Sequence, residues 1–180
     1  METKKEIEVE IKGISPYCMA RFYDSTELQN SSSKRGKKIY VPEEEAAKKA
    51  YKTTDGKYFI PSLHFKTAMV RASTDFKMQG KKSYKDYCKA GMFIDIPEIL
   101  ITPQKYTIYE TPVVIGRARV LSWYPLFKEW TCKFKIYIMD DFLDPTTLKE
   151  ILMTAGKYQG VGNFRPEFGR FEVTKFQFKK

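Results

Sequence analysis

The sequence is poor in the residues that metal sites, disulfide frameworks and imidazole-based active sites require. It contains one histidine, His64, and three cysteines, Cys18, Cys88 and Cys132, which lie far apart. An odd number of widely spaced cysteines provides neither a disulfide framework nor a CxxC zinc site, so we expect reduced thiols. A single histidine excludes histidine-rich metal sites and any mechanism that needs two imidazoles. We therefore expect neither a cofactor nor a metal ion.

Long apolar runs and the common catalytic motifs are also missing. No stretch approaches the ~20 apolar residues of a membrane-spanning helix, and the first ten residues lack the apolar core of a signal peptide. The sequence has no Walker loop, HExxH, GxSxG or paired-carboxylate pattern. These absences predict a cytoplasmic protein without a membrane partner and argue against the usual hydrolase classes.

Positive charge is abundant. The 180 residues include 32 Lys and Arg against 22 Asp and Glu, a formal net charge of +10. Such an excess favours a polyanionic partner, with nucleic acid preferred to a membrane surface. Much of this positive charge lies in two polar segments. In one interpretation they clamp phosphates, and in the other they only keep the loops soluble. Their basic residues are Lys34, Arg35, Lys37 and Lys38 in the first, and Lys77, Lys81, Lys82, Lys85 and Lys89 in the second.

Hydrophobic periodicity predicts the order of helices and strands. Alternating apolar residues indicate strands, and apolar residues three or four positions apart indicate helices. A short helix begins at Pro42, outside the main pattern. The main elements are a strand at 6–14, a helix beginning at Pro61, a strand at 106–116, a hairpin over 117–140 whose second arm is 130–138, a helix capped by Asp144 and ended by Gly156, and a last strand through Phe171 and Phe178. In the helix that begins at Pro61, one apolar face should belong to the core; its residues are Phe65, Ala68, Met69, Ala72 and Phe76.

This order is the βαββαβ plan of a ferredoxin-like, or RRM-like, α+β fold: an antiparallel sheet with helices on one face and basic loop insertions. We expect one domain over 1–180, with insertions at about 24–56 and 77–116. The first and third strands should be central, which places Glu8 and Glu10 near Lys133 and Lys135 on the face away from the helices. Nucleic acid should therefore follow the loops and not this acidic face. Phe171 and Val173 alternate onto one face of the last strand and Phe176 and Phe178 onto the other, which predicts a bulge or a contact beyond the sheet.

A loop rich in glycine, arginine and phenylalanine precedes the last strand. In one interpretation its backbone N–H groups bind phosphates together with Arg165 and Arg170, while Phe164 or Phe168 stacks on a base. In the other it is a turn whose phenylalanines belong to the core and whose arginines pair with Glu167 or Glu172. The residue pattern alone leaves both open.

Two stretches of the chain carry a family resemblance: YFIPSLHFKTAMVRAS, residues 58–73, and GVGNFRPEFGRFEV, residues 160–173. They resemble the helix start and the glycine-rich loop of the RAMP superfamily, the ferredoxin-like proteins that include the backbone subunits of CRISPR effector complexes. The whole chain, with KGISPYCMARF and SWYPLFKEW, is also similar to a group of small phage and prophage proteins. The resemblance implies a bacterial, archaeal or phage-infected host cell.

In backbone subunits, the resemblance implies, guide RNA runs along the glycine loop, the first helix start and a thumb-like insertion, while protomers stack into a filament. Phe176 and Phe178 are the candidates for that stacking. Taken with the basic clusters, the resemblance nominates as nucleic-acid-binding residues Lys34, Arg35, Lys37, Lys38, His64, Lys66, Arg71, Lys81, Lys82, Gly160, Gly162, Phe164, Arg165, Gly169 and Arg170.

We therefore expect a non-catalytic protein that binds single-stranded nucleic acid, RNA in preference to DNA, and whose further partners are copies of itself and CRISPR-type complex subunits. One alternative is a small RAMP-type endoribonuclease that uses His64 or Asp24. Another is a phage accessory protein that binds or blocks a CRISPR or other host complex.

Overall fold

The computed structural model describes residues 5–23, 41–78 and 83–179. Strands predominate, and the helices are few and short. A 3-10 turn lies at Ser73–Asp75, and a π-helical turn lies at Ala155–Gln159. In chain order the elements are β1 Lys5–Gly13, β2 Tyr17–Cys18, α1 Pro42–Lys48, β3 Phe59–Pro61, α2 Ser62–Ala72, α3 Lys85–Ala90, β4 Met92–Ile94, β5 Glu98–Thr102, β6 Thr107–Ile115, β7 Ala118–Phe127, β8 Thr131–Ile138, α4 Pro145–Thr154 and β9 Phe171–Lys179.

The strands form two antiparallel sheets. The larger has the order β3-β5-β8-β1-β9, with β4 also paired to β8, and the smaller has the order β2-β7-β6. In the larger sheet β1 lies between β8 and β9, and its register places Glu8 opposite Lys135 and Glu10 opposite Lys133. The predicted proximity of these charges is confirmed, and Lys133 Nζ lies 3.0 Å from Glu10 Oε1. This arrangement is compatible with a ferredoxin-like fold.

The core lies between the larger sheet and helices α2 and α4. The predicted inner face of α2 is confirmed, because Phe65, Ala68, Met69 and Ala72 are buried. The Phe65 ring stacks on that of Phe134 in β8, with centroids 4.9 Å apart. Burying several large apolar side chains here, at about 1.5–3 kcal/mol each, fixes α2 against the sheet.

Helix α4 begins as predicted, and the π-helical turn that follows it continues past the predicted end. Asp144 Oδ2 accepts a hydrogen bond from the Thr147 backbone N–H at 3.0 Å, which confirms the N-cap. The predicted end at Gly156 is wrong, since the π-helical turn continues to Gly160, which has φ +64°. Gly156 instead allows close packing: a Cβ there would lie 2.2 Å from the Phe171 carbonyl oxygen.

The predicted hairpin over 117–140 is also wrong. Strand β7 pairs with β6 from Ala118 to Leu126, whereas β8 pairs with β1, so the two predicted arms lie in different sheets. The segment 106–116, predicted as a strand of the main sheet, supplies β6 of the smaller sheet, and β4 and β5 lie beside β8 instead. An alternating pattern predicts that a segment is a strand, but it does not predict which strand the segment pairs with. The pairing here depends on contacts between residues that are far apart in the chain.

Strand β9 contains the predicted bulge. Its register against β1 shifts between Glu10 and Ile11, leaving Thr174 as the extra residue. The extra residue restores one face: Phe176 and Phe178 lie opposite Val9 and Ile7, so they are on the core side with Phe171 and Val173. Phe176 packs against the core. The prediction that Phe176 and Phe178 lie on the opposite face of β9 from Phe171 and Val173 is therefore wrong. Phe178 nevertheless keeps 37% of its surface exposed, and its role in protomer stacking stays a prediction.

The three cysteines are free, as predicted, and all three are buried. Burial raises the pKa of the Cys18 thiol to about 12 and the pKa of Cys132 well above its usual range. None of the helices in the described ranges has the length and apolarity needed to cross a membrane.

Candidate nucleic-acid interface

Helix α2 presents His64 and Arg71 on one side. The two residues are seven positions apart, close to two full turns, so their side chains leave the helix in nearly the same direction. His64 is half-buried and Arg71 is exposed. Lys66, half-buried, lies two positions from His64 and therefore on another side of the helix. Of the residues nominated on this helix, only His64 and Arg71 share a side.

The glycine loop, residues 160–170, is held tightly against the segment around β2. The Asn163 backbone N–H donates to the Cys18 carbonyl at 2.9 Å, and that of Gly169 donates to the Pro16 carbonyl at 2.8 Å. Gly162 has φ +86°, and a Cβ on it would lie 2.5 Å from the Tyr17 ring. Only glycine permits this conformation and this approach without strain.

The same hydrogen bonds occupy much of the loop's backbone. The N–H groups of Val161, Asn163, Phe168 and Gly169 donate to backbone carbonyls, and the N–H of Arg170 donates to Ser15 Oγ at 3.0 Å. Those groups are therefore not available to phosphates. Any electrostatic contribution of this loop to binding an anion must come mainly from its arginine side chains.

The phenylalanines of the loop contact the smaller sheet. The Phe164 ring meets Tyr124 edge-to-face at 5.3 Å between centroids, and Phe168 meets Tyr109 at 5.2 Å. Phe164 has φ +55° and keeps 37% of its surface exposed. The Phe164 ring already contacts three aromatic neighbours, so only part of its surface is available to stack on a base.

Both loop arginines are exposed. The Arg170 Nε–H donates to the Pro166 carbonyl at 2.7 Å, which folds this side chain back along the loop. Neither Arg165 nor Arg170 forms a salt bridge with an acidic residue in the described part of the chain. The alternative in which Glu167 or Glu172 neutralises them is not seen there.

The loop brings Arg165 close to the side of α2 that carries His64 and Arg71. Tyr17, against which Gly162 packs, has its hydroxyl oxygen 3.5 Å from His64 Nδ1. Burial and then the positive charge of Arg165 lower the pKa of His64. Arg165 is exposed as a residue, but partial burial of its guanidinium group and then the charge of Arg71 lower its pKa. These three residues form what we call the Arg–His cluster, and no acid among the described residues pairs with it.

Two residues near this cluster were not foreseen from the sequence. The Tyr51 ring contacts His64 edge-on at 5.8 Å between centroids. Burial raises the pKa of Tyr51, and the positive charge of nearby Arg21 acts in the opposite direction. Arg21, exposed at the end of the stretch KGISPYCMARF, thus adds a cation beyond Tyr51. That stretch is one of the two quoted for the similarity to small phage and prophage proteins, and it is the signal that could have indicated Arg21.

Other predicted residues lie elsewhere. Lys77, Lys85 and Lys89 are exposed around α3. Within the described ranges no group of His, Cys, Asp and Glu side chains is placed to hold a metal ion. Outside the described residues lie Asp24, Lys34, Arg35, Lys37, Lys38, Lys81 and Lys82.

The open face of the larger sheet, which lies away from α2 and α4, is covered by paired charges. Lys175 Nζ lies 3.2 Å from Glu8 Oε2, and Lys135 Nζ lies 2.9 Å from Glu6 Oε1. Hydrogen bonds from Lys179 and Lys175 lower the pKa of Glu8. Because these lysines already have carboxylate partners, a nucleic-acid strand would have to displace them. That nucleic acid follows the loops and not this face stays a prediction.

Comparison with known proteins identifies a shared fold. No protein-family model matches the sequence, and no curated protein matches it. The chain is similar to a chain in the cryo-EM structure of the Type III-B Cmr-beta bound to cognate target RNA, with a TM-score of 0.64 and 12% sequence identity. The similarity covers 98% of this chain and 61% of that chain. At this identity the likeness concerns the fold alone.

Proposed function

We propose that this protein is a RAMP-type subunit that binds single-stranded RNA at the Arg–His cluster and does not cleave it. The observation that carries the proposal is the convergence of Arg165 with His64 and Arg71, without an acidic partner in the described part of the chain. Exposed guanidinium groups that lack carboxylate partners are suited to phosphate oxygens. The structural neighbour is a chain of a Cmr-beta structure bound to target RNA, which supports RNA as the ligand.

The proposal includes the topology behind the site. In it, β1, α2, β4 with β5, β8, α4 and β9 form the βαββαβ core of one domain over 1–180. The smaller sheet and the basic segments would then be additions to this core. Association with copies of itself or with other CRISPR-type subunits belongs to the same proposal, since the neighbour comes from such an assembly.

The first experiment measures RNA affinity by the fluorescence anisotropy of a labelled single-stranded RNA. We expect the double variant Arg71→Gln/Arg165→Gln to bind at least about tenfold more weakly, because two charge-assisted hydrogen bonds to phosphate disappear. The slope of log affinity against log salt should become shallower by about 0.7 for each phosphate that is no longer neutralised.

The matched control removes the same charge from the open face. Lys133→Gln/Lys175→Gln takes away two lysines whose partners are Glu10 and Glu8, and it should change affinity by less than about threefold. Equal losses in the two double variants would mean that affinity follows net charge and not the Arg–His cluster. Affinity that does not change with salt would favour a protein partner, as expected for a phage accessory protein.

A second experiment addresses cleavage. End-labelled RNA incubated with the protein should remain intact, because no acid–base pair accompanies His64 among the described residues. Cleavage by the wild type that is lost in His64→Ala would establish the endoribonuclease alternative. Loss in Asp24→Ala instead would assign the cleavage to the insertion.

A further inference from the structure

The orientation of the only histidine is set by a buried tyrosine. Tyr17 has no exposed surface, and its ring packs against Trp130 and Phe127 at centroid distances of 5.5 and 6.3 Å. Its hydroxyl oxygen lies 3.5 Å from His64 Nδ1. Burial raises the pKa of Tyr17 well above 10, so the hydroxyl keeps its proton throughout the physiological range.

This contact selects one form of the imidazole. The only hydrogen-bond partner of the Tyr17 hydroxyl among the described residues is His64 Nδ1. If Nδ1 carried a proton, the buried hydroxyl hydrogen would have no acceptor, which costs the desolvation of that group. The favourable arrangement has Tyr17 donating to the Nδ1 lone pair, and a neutral imidazole then carries its proton on Nε2.

The Nε2–H group reaches solvent. No side chain or backbone group in the described residues is hydrogen-bonded to it, and no buried side-chain nitrogen or oxygen there lacks a partner. Nε2 is therefore accessible. Three groups face the imidazole ring: the Tyr17 hydroxyl from β2, the Tyr51 ring from the segment after α1, and Arg165 from the glycine loop. Two further cations lie near these groups. Arg71 is on the same side of α2 as His64, and Arg21 lies beyond Tyr51. These groups provide no negative charge that would stabilise an imidazolium.

We propose that His64 binds RNA as a neutral hydrogen-bond donor, giving its Nε2–H to a phosphate oxygen held by Arg165, with Tyr17 as the positioning residue that fixes the tautomer. The ligand in this inference rests on the proposed function, whereas the tautomer is a property of the free protein. One consequence concerns cleavage. An Nε2 that carries the proton has no lone pair with which to act as a general base.

The tautomer can be read directly by two-bond nitrogen–proton NMR correlation at pH 7. Because His64 is the only histidine, its ring signals need no assignment. We expect the Nε2–H tautomer in the wild type and a mixture of tautomers in Tyr17→Phe, which keeps the ring and removes the donor. A wild-type spectrum showing the Nδ1–H form or the imidazolium would overturn the inference.

RNA affinity provides the second test, with two variants that differ in where they place an amide. His64→Gln puts an N–H donor near the position of Nε2 and should bind within about threefold of the wild type. His64→Asn places its amide near Nδ1 and should bind about tenfold more weakly, the value of one hydrogen bond to a charged group. Wild-type affinity should be the same at pH 7 and pH 8, and circular dichroism confirms that the variants fold.

The outcomes separate the two proposals. Equal losses in His64→Gln and His64→Asn, with the wild type still binding RNA, would overturn the inference and leave the proposed function standing. A wild type that does not bind RNA would overturn the proposed function and, with it, the ligand assigned to His64.

Discussion

At Gly169 the backbone is left-handed, with φ +77°, and a Cβ would lie 1.7 Å from the Val161 carbonyl oxygen. Gly56 has nearly the same angle, φ +78°, but nothing lies within 4 Å of the place where its Cβ would be. The two glycines therefore separate the cost of a backbone conformation from the cost of a steric clash.

We expect Gly56→Ala to lower the free energy of unfolding by about 1 kcal/mol, the usual cost of placing alanine in the left-handed region. Gly169→Ala should lower it by at least about 3 kcal/mol, because the loop must also move away from Val161. Urea titration followed by circular dichroism measures both. Similar costs in the two variants would show that the loop is not as closely packed as the structure indicates.

The residues of the site were predictable to different degrees. His64, Arg71 and Arg165 were nominated because they lie in the two segments with a family resemblance, and the structure brings these three together. Tyr51 belongs to no recognised pattern, and Tyr17 lies in the stretch KGISPYCMARF, which assigned it no role. Each reaches His64 only through folding. A tyrosine in a sequence gives no sign of which distant side chain its hydroxyl will meet.

Among the elements, strand β1 shows how charge is arranged on the sheet. Glu6 and Glu8 face lysines of β8 and β9 across the open face. Hydrogen bonds from Lys135 and Tyr137 lower the pKa of Glu6, and hydrogen bonds from Lys179 and Lys175 lower the pKa of Glu8. The folded state therefore binds protons on these carboxylates less readily than the unfolded chain does.

The sign of the pH dependence follows from this difference. The carboxylates contribute stability above their ordinary pKa of 4.5, and the contribution is lost as the pH falls through their lower folded pKa. We expect the urea midpoint to fall as the solution is acidified below pH 4.5, and to fall less in Glu8→Gln. Glu150→Gln is the control, since Glu150 is exposed on α4 and forms no salt bridge in the described ranges. If it flattens the pH dependence equally, the lysine ladder is not the cause.

Elements with a local signal were predicted well, and their partners less so. The Asp144 cap and the buried face of α2 depend on residues a few positions apart. The pairing of β7 with β6 and of β8 with β1 depends on contacts between distant residues. A buried Lys49–Glu45 ion pair also joins α1 to β7. Lys49 Nζ donates a hydrogen bond to the Trp123 carbonyl of β7 at 3.0 Å. The i,i+4 spacing of this pair was visible in the sequence, but its burial against β7 was not.

In the whole molecule, the glycine loop contacts both sheets. The Ile14 N–H, just after β1, donates to the Arg170 carbonyl at 2.8 Å. On the other side, Phe164 and Phe168 pack against Tyr124 and Tyr109 of the smaller sheet. The segment that carries Arg165 is thus fixed from two directions, which holds the arginine beside α2. This arrangement favours a single cooperative unit.

The two tryptophans make this cooperativity measurable. Trp123 lies in β7 of the smaller sheet, and Trp130 is buried just before β8, where its Nε1–H donates to the Ser15 carbonyl at 2.9 Å. In Trp123→Phe and Trp130→Phe the remaining tryptophan reports on one region. Within each variant we expect the fluorescence and circular dichroism midpoints in urea to agree within about 0.2 M, because both sheets unfold together.

Adding Phe164→Ala tests what joins the sheets. The substitution removes the Phe164 ring and its contacts with three aromatic neighbours. It should lower the free energy of unfolding by about 2 kcal/mol. If the loop couples the sheets as one domain, both tryptophans must report the same decrease, since a single transition then unfolds both sheets. A decrease reported by Trp123 alone, with Trp130 unchanged, would show that the smaller sheet unfolds independently. Arg165 would then be held by the larger sheet only, through the hydrogen bonds of the glycine loop to the segment between β1 and β2.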